Sequence, residues 1–340
     1  MNAIDNIQCD LDFEADGKRI GSIDLSYSDN HHAFDKIPIP IVVIKNGKGP
    51  TLLLSAGNHG DEYEGQVILR RFIHDLSADS IKGRLIILPA LNYPAVIDNA
   101  RVSPLDNGNM NRNFPGVENG QPTQAIAAYV TRHILPLSNA GIDLHSGGSS
   151  AYYLPSTFIC TAKDADITRK NLEMARTFAA GDSILVDGSN SSSGFDPIAN
   201  QMGIPFISTE LSGGANVDCD AVEMGYQGVR RVMHEMGIVN ISEPGSESHR
   251  IFNCIDGSEK LSATTTGIFE PVCQMGDEVV TGQLAGRLFP LEEIERKPIE
   301  LHFPQTGIVI VRRNGARVKR GSHLFVVARP FSDEEIAAIC

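Results

Sequence analysis

The sequence predicts an α/β fold, with a mixed sheet flanked by helices and a small β-sandwich at the C-terminal end. Three observations carry that expectation. Short β-rich runs alternate with helical patterns from about residue 39 to 238. Several of those runs are apolar throughout, as strands buried on both faces are. Beyond residue 245 the texture changes to short strands with frequent glycine and no helical pattern until the final Asp333-Glu334-Glu335.

In chain order, the strand candidates begin with Ile41-Val42-Val43-Ile44, Thr51-Leu52-Leu53-Leu54 and Leu85-Ile86-Ile87-Leu88. They continue with Ile142-Asp143-Leu144, Thr157-Phe158-Ile159, Ile184-Leu185-Val186 and Phe206-Ile207-Ser208, each bounded by turn residues. Asn46-Gly47-Lys48-Gly49-Pro50 between the first two supplies residues tolerant of positive φ, which predicts that these strands are antiparallel neighbours. Helical patterns cover about 61–77, 123–137, 163–180 and 221–237. In the last, Val222, Val229, Val232, Met233 and Met236 are spaced to form one apolar face. Each helix lies between strands, as a crossover should.

The change of texture after Glu243-Pro244-Gly245-Ser246-Glu247-Ser248 predicts a domain boundary near 245–255. The expected division is 1–245 for an α/β domain including an N-terminal β segment over 1–38, 250–330 for the β-module, and 331–340 for a tail. Within the module, Gly276–Gln283 and Gly315–Ser322 are similar turn-strand units about 39 residues apart, the pattern of a small two-fold sandwich. It resembles the barrel-sandwich domains that carry lipoyl or biotinyl groups. The Met-Lys hairpin that accepts such a group is missing, because the equivalent stretch reads Phe303-Pro304-Gln305-Thr306-Gly307. The module is therefore expected to be structural or to wall the active site.

With 340 residues, 41% hydrophobic and 21% charged, the chain can bury a large core without external staples. A formal charge of −13 repels phosphate backbones and anionic headgroups, which disfavours nucleic acid and membrane surfaces as partners. No basic region followed by an apolar stretch opens the sequence, and no apolar run approaches about 18 residues, so the expected location is cytoplasmic. The six cysteines are scattered without a CxxC pair, which points to reduced thiols and to no thiolate metal site. Cys219 is read as a small loop residue.

Two strand ends carry metal-binding residue types. Strand 51–54 runs into Asn58-His59-Gly60-Asp61-Glu62-Tyr63-Glu64-Gly65, placing a histidine and a glutamate three residues apart where a helix begins. Strand 142–144 ends in His145-Ser146-Gly147-Gly148, at the carboxyl edge where α/β sites form. His59, Glu62 and His145 make a three-ligand N/O set with an open fourth position, as a catalytic zinc requires. Either histidine alone would be better read as a helix cap or a satisfied loop residue.

With these segments on the page, the chain resembles the succinylglutamate desuccinylase and aspartoacylase family, whose catalytic domain is similar to the zinc carboxypeptidases. The resemblance covers roughly residues 40–240 and implies one Zn²⁺ per chain on His59, Glu62 and His145. It further implies that Arg101 and the pair Asn111-Arg112, in Asn109-Met110-Asn111-Arg112-Asn113-Phe114, match the family's substrate arginine and Asn-Arg pair. Glu210, in Ser208-Thr209-Glu210-Leu211, matches its catalytic glutamate. One departure stands out. Many relatives carry an aspartate where this chain has Asn109, so an imidazole otherwise oriented by that acid must lean on a carbonyl, a water, Asp61 or Asp143.

Amide hydrolysis needs an activated water, a proton shuttle, stabilisation of the oxyanion and a grip on the substrate carboxylate. On that resemblance, zinc would supply the first, Glu210 the second, Arg101 the third, and Arg112 with Asn111 the fourth. Ordered loops longer than about 12–15 residues are usually functional, which weighs against reading Arg101 and Arg112 in loop 92–122 as ordinary surface residues. Within the family, the motifs and the β-module look most like the bacterial N-acetyl-diaminobutyrate deacetylases of ectoine breakdown. That reading makes the partner a small N-acyl amino acid and the assembly a homo-oligomer. Aspartoacylase-like or desuccinylase-like action on an acidic substrate comes second, a metallocarboxypeptidase third, and a non-catalytic binding protein is the alternative outside enzymes. The acid-rich loops Asp61-Glu62-Tyr63-Glu64 and Asp218-Cys219-Asp220 are the expected partners for a cationic substrate side chain.

Overall fold

The structure is a computed structural model, and it describes residues 2–4, 6–28, 35–240, 249–255 and 260–339. The linker stretch Glu243–Ser248 lies outside the described residues. The first part of the chain contributes strands β1 (Asn2–Ile4), β2 (Ile7–Cys9), β3 (Gly17–Tyr27), β4 (Asp35–Asn46), β5 (Thr51–Ala56), β6 (Gly83–Leu88) and β7 (Ala140–His145). After β8 (Ala151–Tyr153) come β9 (Ser156–Cys160), β10 (Asp182–Val186), β11 (Phe206–Glu210) and β12 (Arg250–Asn253). All but β8 form one 11-stranded sheet in the order β1-β2-β3-β4-β6-β5-β7-β11-β9-β10-β12.

The helices are α1 (Glu64–Asp75), α2 (Tyr93–Ile97), α3 (Met110–Asn113), α4 (Pro122–Tyr129), α5 (Ala165–Phe178), α6 (Phe195–Gln201) and α7 (Cys219–Glu235). A π-turn over 130–134 and a 3₁₀ turn over 135–137 prolong α4. Because successive strand residues face opposite ways, the apolar runs feed two cores. Val42, Leu52, Leu54, Leu85, Ile87 and Ile142 meet Ile68 and Phe72 of α1 with Val229 and Met233 of α7 on one face. Val43, Leu53, Ile86, Leu88 and Phe206 meet Ile126 of α4 and Phe195 of α6 on the other. Strands β5, β6 and β7 are buried at every position, which is why they read as unbroken hydrophobic runs. Asp218 caps α7 by accepting the Ala221 N–H at 2.9 Å.

The predicted pairing of strands 41–44 and 51–54 is corrected. β6 lies between them, antiparallel to β4 and parallel to β5. Asn46–Pro50 therefore bridges two inter-strand spacings, about 10 Å, which five residues span with ease. It crosses the start of β6 closely enough that a Cβ on Gly49 would lie 2.8 Å from the Gly83 Cα, and the Arg84 N–H bonds the Pro50 carbonyl at 2.9 Å. A turn-prone sequence limits how the chain bends but leaves open which strand pairs alongside.

The C-terminal strands are β13 (Lys260–Ser262), β14 (Gly267–Pro271), β15 (Glu278–Val279), β16 (Leu284–Pro290), β17 (Ile299–His302), β18 (Gly307–Arg313), β19 (Arg317–Val318) and β20 (His323–Ala328), followed by α8 (Asp333–Ile339). They form two antiparallel sheets, β13-β20-β18-β15 and β17-β16-β14-β19, around Phe269, Leu288, Phe303 and Phe325. The repeat is visible in the backbone: Gly276 and Gly282 in one unit and Gly315 and Gly321 in the other all have φ between 82° and 85°. β12 joins the large sheet beside β10, and β8 pairs with β18, so each part lends the other a strand. Among the described residues no helix is long and apolar enough to cross a membrane.

Candidate metal centre and substrate cavity

The sheet order brings the functional strand ends together. β5, β7 and β11 are consecutive and parallel, so their carboxyl ends share one edge. Glu210, the last residue of β11, is in register with His145, the last residue of β7. The loop after β5 carries His59 and Glu62 to the same edge. That loop is clamped: the Gly60 N–H bonds the Ala100 carbonyl at 2.9 Å, and a Cβ on Gly60 would lie 2.0 Å from the Ala95 carbonyl oxygen. Only glycine fits that approach, and the contact also fixes the segment leading to Arg101.

His59, Glu62 and His145 are buried, and one donor atom from each lies within 4.8 Å of the others. Glu62 Oε1 faces His59 Nδ1 at 2.7 Å, and Oε2 faces His145 Nδ1 at 2.8 Å. The far nitrogen of each ring is also engaged. His145 Nε2 is 2.7 Å from Asp143 Oδ2, and His59 Nε2 is 3.3 Å from Asn109 Oδ1. Asn109 Oδ1 also accepts the Arg112 N–H at 3.4 Å, which identifies it as the amide oxygen. With acceptors at both Nε2 positions, each neutral imidazole carries its proton there and turns a lone pair toward the Glu62 carboxylate. Three lone-pair donors facing one point need a cation or extra protons between them, so the donor set fits a divalent metal. Asp143, buried, also accepts from Ser55 Oγ at 2.6 Å and Asn58 Nδ2 at 2.8 Å. The residue replacing the family's aspartate thus retains an oxygen for His59, while Asp143 serves His145.

Burial alone would depress the His145 imidazolium, but the Asp143 and Glu62 carboxylates raise it well above its ordinary value. Burial alone would raise Glu62, yet the two imidazoles hold its carboxyl far below the usual range. Glu210 shows the opposite balance. Burial, reinforced by the Glu62 charge, pushes its carboxyl up to about 8, and its Oε2 has no partner. A buried carboxyl titrating near neutrality beside a cluster of metal-binding type is suited to proton transfer.

A cavity of about 280 Å³ opens on this cluster. His59, His145, Arg101, Asn111 and Glu210 all line it. The Arg101 guanidinium donates to Glu62 Oε1 at 3.1 Å, and Asn111 Oδ1 accepts the Phe195 N–H at 2.9 Å. Arg112, beside Asn111 on α3, is exposed and does not line the cavity. The far wall comes from residues to which the sequence reading gave no site role: Phe158 and Cys160 of β9, the loop from Asp187 to Gly194, Asp196 of α6 and Ser208 of β11. None carries a recognisable motif, and only the paths of β9 and α6 bring them there. No described residue of 250–330 lines the cavity. The module reaches this region through β8, where Tyr153 pairs with Val311 of β18 and its phenol is raised chiefly by the nearby Glu210 charge. The five described cysteines are free, and Cys219 is the first residue of α7 rather than a loop residue.

Comparison with known proteins places this geometry. The family model for the succinylglutamate desuccinylase/aspartoacylase catalytic domain matches residues 48–236. The chain is 34% identical to the N-alpha-acetyl-L-2,4-diaminobutyric acid deacetylase of Halomonas elongata, over 95% of this chain and 94% of that protein. Among solved structures, a succinylglutamate desuccinylase from Silicibacter superposes with a TM-score of 0.92 at 32% identity, covering 96% of this chain and 99% of the other. The product-bound ectoine utilization protein EutE (DoeB) from Ruegeria pomeroyi gives 0.92 at 33% identity, covering 95% and 99%. With its fold, its strand-end cluster and these likenesses agreeing over nearly its whole length, the chain belongs to the succinylglutamate desuccinylase/aspartoacylase family of amide-hydrolysing enzymes.

Proposed function

We propose that the protein is a zinc-dependent deacylase that removes the acetyl group of N-acetyl-L-2,4-diaminobutyrate. The observation that carries this reading is the convergence of His59, Glu62 and His145, with both histidines lining a cavity that Glu210 also lines. Likeness to the Halomonas elongata deacetylase, extending over both chains, supports the choice of substrate. The three cluster residues would hold one zinc ion per chain. Bound there, zinc would lower the pKa of a water to roughly 7 and polarise the amide carbonyl.

Glu210 takes the proton of the attacking water and passes it to the departing amine; its raised carboxyl suits it to both halves of that transfer. Arg101, half exposed and held at 3.1 Å from Glu62, offers its remaining N–H groups to the oxyanion as charge develops. Asn111, on the cavity wall, is assigned the substrate carboxylate; Arg112, which the sequence expectation paired with it, is exposed beside it and lies outside the cavity lining. Burial of the cluster keeps bulk water from competing for these contacts.

Acetate release from the zinc-loaded enzyme tests the reading, with N-acetyl-2,4-diaminobutyrate and N-acetylaspartate measured side by side. A clear preference for N-acetylaspartate would transfer the assignment to an acidic-substrate deacylase, a reading that the Silicibacter likeness favours. Zinc binding without turnover of any N-acyl amino acid would leave a binding protein.

A further inference from the structure

Among the residues lining the cavity, one buried carboxylate has no part in the chemistry assigned so far. Asp196, in the first turn of α6, is only 6% exposed. Its two oxygens lie 2.7 and 2.8 Å from Ser208 Oγ, and the Cys160 thiol is 3.9 Å from Oδ2. A hydroxyl has one proton and can serve one of those oxygens at a time, whereas an ionised carboxylate offers about four acceptor sites. A buried charge with so few donors is costly unless a cation reaches it. Burial pushes this carboxyl up to about 7, with the Asp143 charge adding to the effect.

We propose that Asp196 is a specificity residue that receives a free ammonium on the substrate's side chain, so that the cavity selects N-acylated amino acids carrying a second, unacylated amine. The inference rests on the deacylase reading above and names the group that sets its substrate class.

The spacing fits. Ser208 and Glu210 are two residues apart on β11, so their side chains leave the same face about 7 Å apart along the strand. Asp196, bonded to Ser208, lines the same cavity as the carboxyl assigned to the reacting amide, one same-face step along the strand. In a 2,4-diamino acid the second nitrogen is four bonds from the first, roughly 5 Å when extended. An ammonium–carboxylate contact of about 2.8 Å closes the remaining distance.

The charge inventory agrees. Among the described residues Arg101 is the only lysine or arginine lining the cavity, and it is paired with Glu62. An acidic side chain would meet Asp196 without a compensating cation. Asp187, exposed on the same cavity and held ionised by Ser189 and Thr161, adds a second negative charge. The acid-rich loops that the sequence offered for this role are otherwise engaged. Asp61 accepts the Ser149 N–H at 2.8 Å, Glu64 accepts from Ser146 Oγ at 2.8 Å, Asp218 caps α7, and none of the three lines the cavity.

The test compares kcat/KM of the zinc-loaded enzyme for N-acetyl-2,4-diaminobutyrate and for N-acetyl-2-aminobutyrate, which has the same carbon chain and no second amine. The unmodified enzyme should prefer the diamino substrate by about 10²-fold. Asp196→Asn should lose about 10²-fold on that substrate, mainly through KM, and stay within about threefold on the neutral one. An equal loss on both, or no preference in the unmodified enzyme, overturns the inference and leaves Asp196 a structural residue. Should Asp196→Asn fail to fold, competitive inhibition of the unmodified enzyme decides. Free 2,4-diaminobutyrate should bind at least about tenfold more tightly than 2-aminobutyrate, and equal binding overturns the proposal. Absence of acetate release from either substrate would refute the deacylase reading, while binding of the two free amino acids, measured by calorimetry, would still decide the role of Asp196 by the same tenfold criterion.

Discussion

His145 Nε2 lies 2.7 Å from the carboxylate of Asp143, two residues earlier on the same strand, and that carboxylate is itself held by Ser55 and Asn58. The pair fixes the ring so that Nδ1 faces Glu62. Partners of this kind typically change metal affinity 10- to 100-fold when altered. Asp143→Asn should therefore weaken zinc binding by that factor, measured by competition with a chromogenic chelator. Unchanged affinity would mean that the strand end alone orients His145.

His145→Ala should lose both stoichiometric zinc and acetate release, because two of the three donor residues leave an incomplete site. Elemental analysis of the purified variant gives the answer. One retained zinc per chain would refute the ligand set. In the unmodified protein, chelation should abolish turnover, and added Zn²⁺ should restore it.

Glu210→Gln should retain zinc and lose roughly 10²–10⁴-fold in kcat. It should also change how the metal-free protein responds to pH. Glu210's carboxyl is raised from 4.5 to about 8 in the fold. Between those values the native state holds a proton that the unfolded chain has released, so stability falls as pH rises through this window. Glu210→Gln removes that loss. The difference in Tm between the variant and the unmodified protein, both metal-free, should move in the variant's favour from pH 5 to pH 8. A constant difference would show that Glu210 titrates normally.

Gly60→Ala should damage the centre without touching a ligand. The added methyl would meet the Ala95 carbonyl at 2.0 Å, so either the His59 loop or the segment leading to Arg101 must shift. Overpacking of this kind costs about 1–3 kcal/mol. Thermal unfolding should show that loss together with weaker zinc binding. Normal stability with normal zinc affinity would mean that the loop yields freely.

What the sequence by itself determined are the features written in local patterns. Apolar runs bounded by turns located the strands of the catalytic sheet, and 3.6-residue spacing located α1, α5 and α7. His59, Glu62 and His145 stood out because each sits where such a run ends, and parallel strands present their carboxyl ends together, whereas Glu210 was picked out by the family resemblance. Pairing and burial of individual polar groups were decided only by the tertiary structure. Asn46–Pro50 has the composition of a hairpin, yet β6 enters between its strands, because α1 returns the chain to pair there and no local signal marks that contact. Asn109 kept a role beside His59 through one oxygen, which depends on a distance of 3.3 Å rather than on residue type. Asp196 is one of 42 acidic residues and carries no motif. What distinguishes it is that α6 packs its carboxylate against Ser208 in a cavity assembled from remote segments, and desolvation of that kind exists only once the chain has folded.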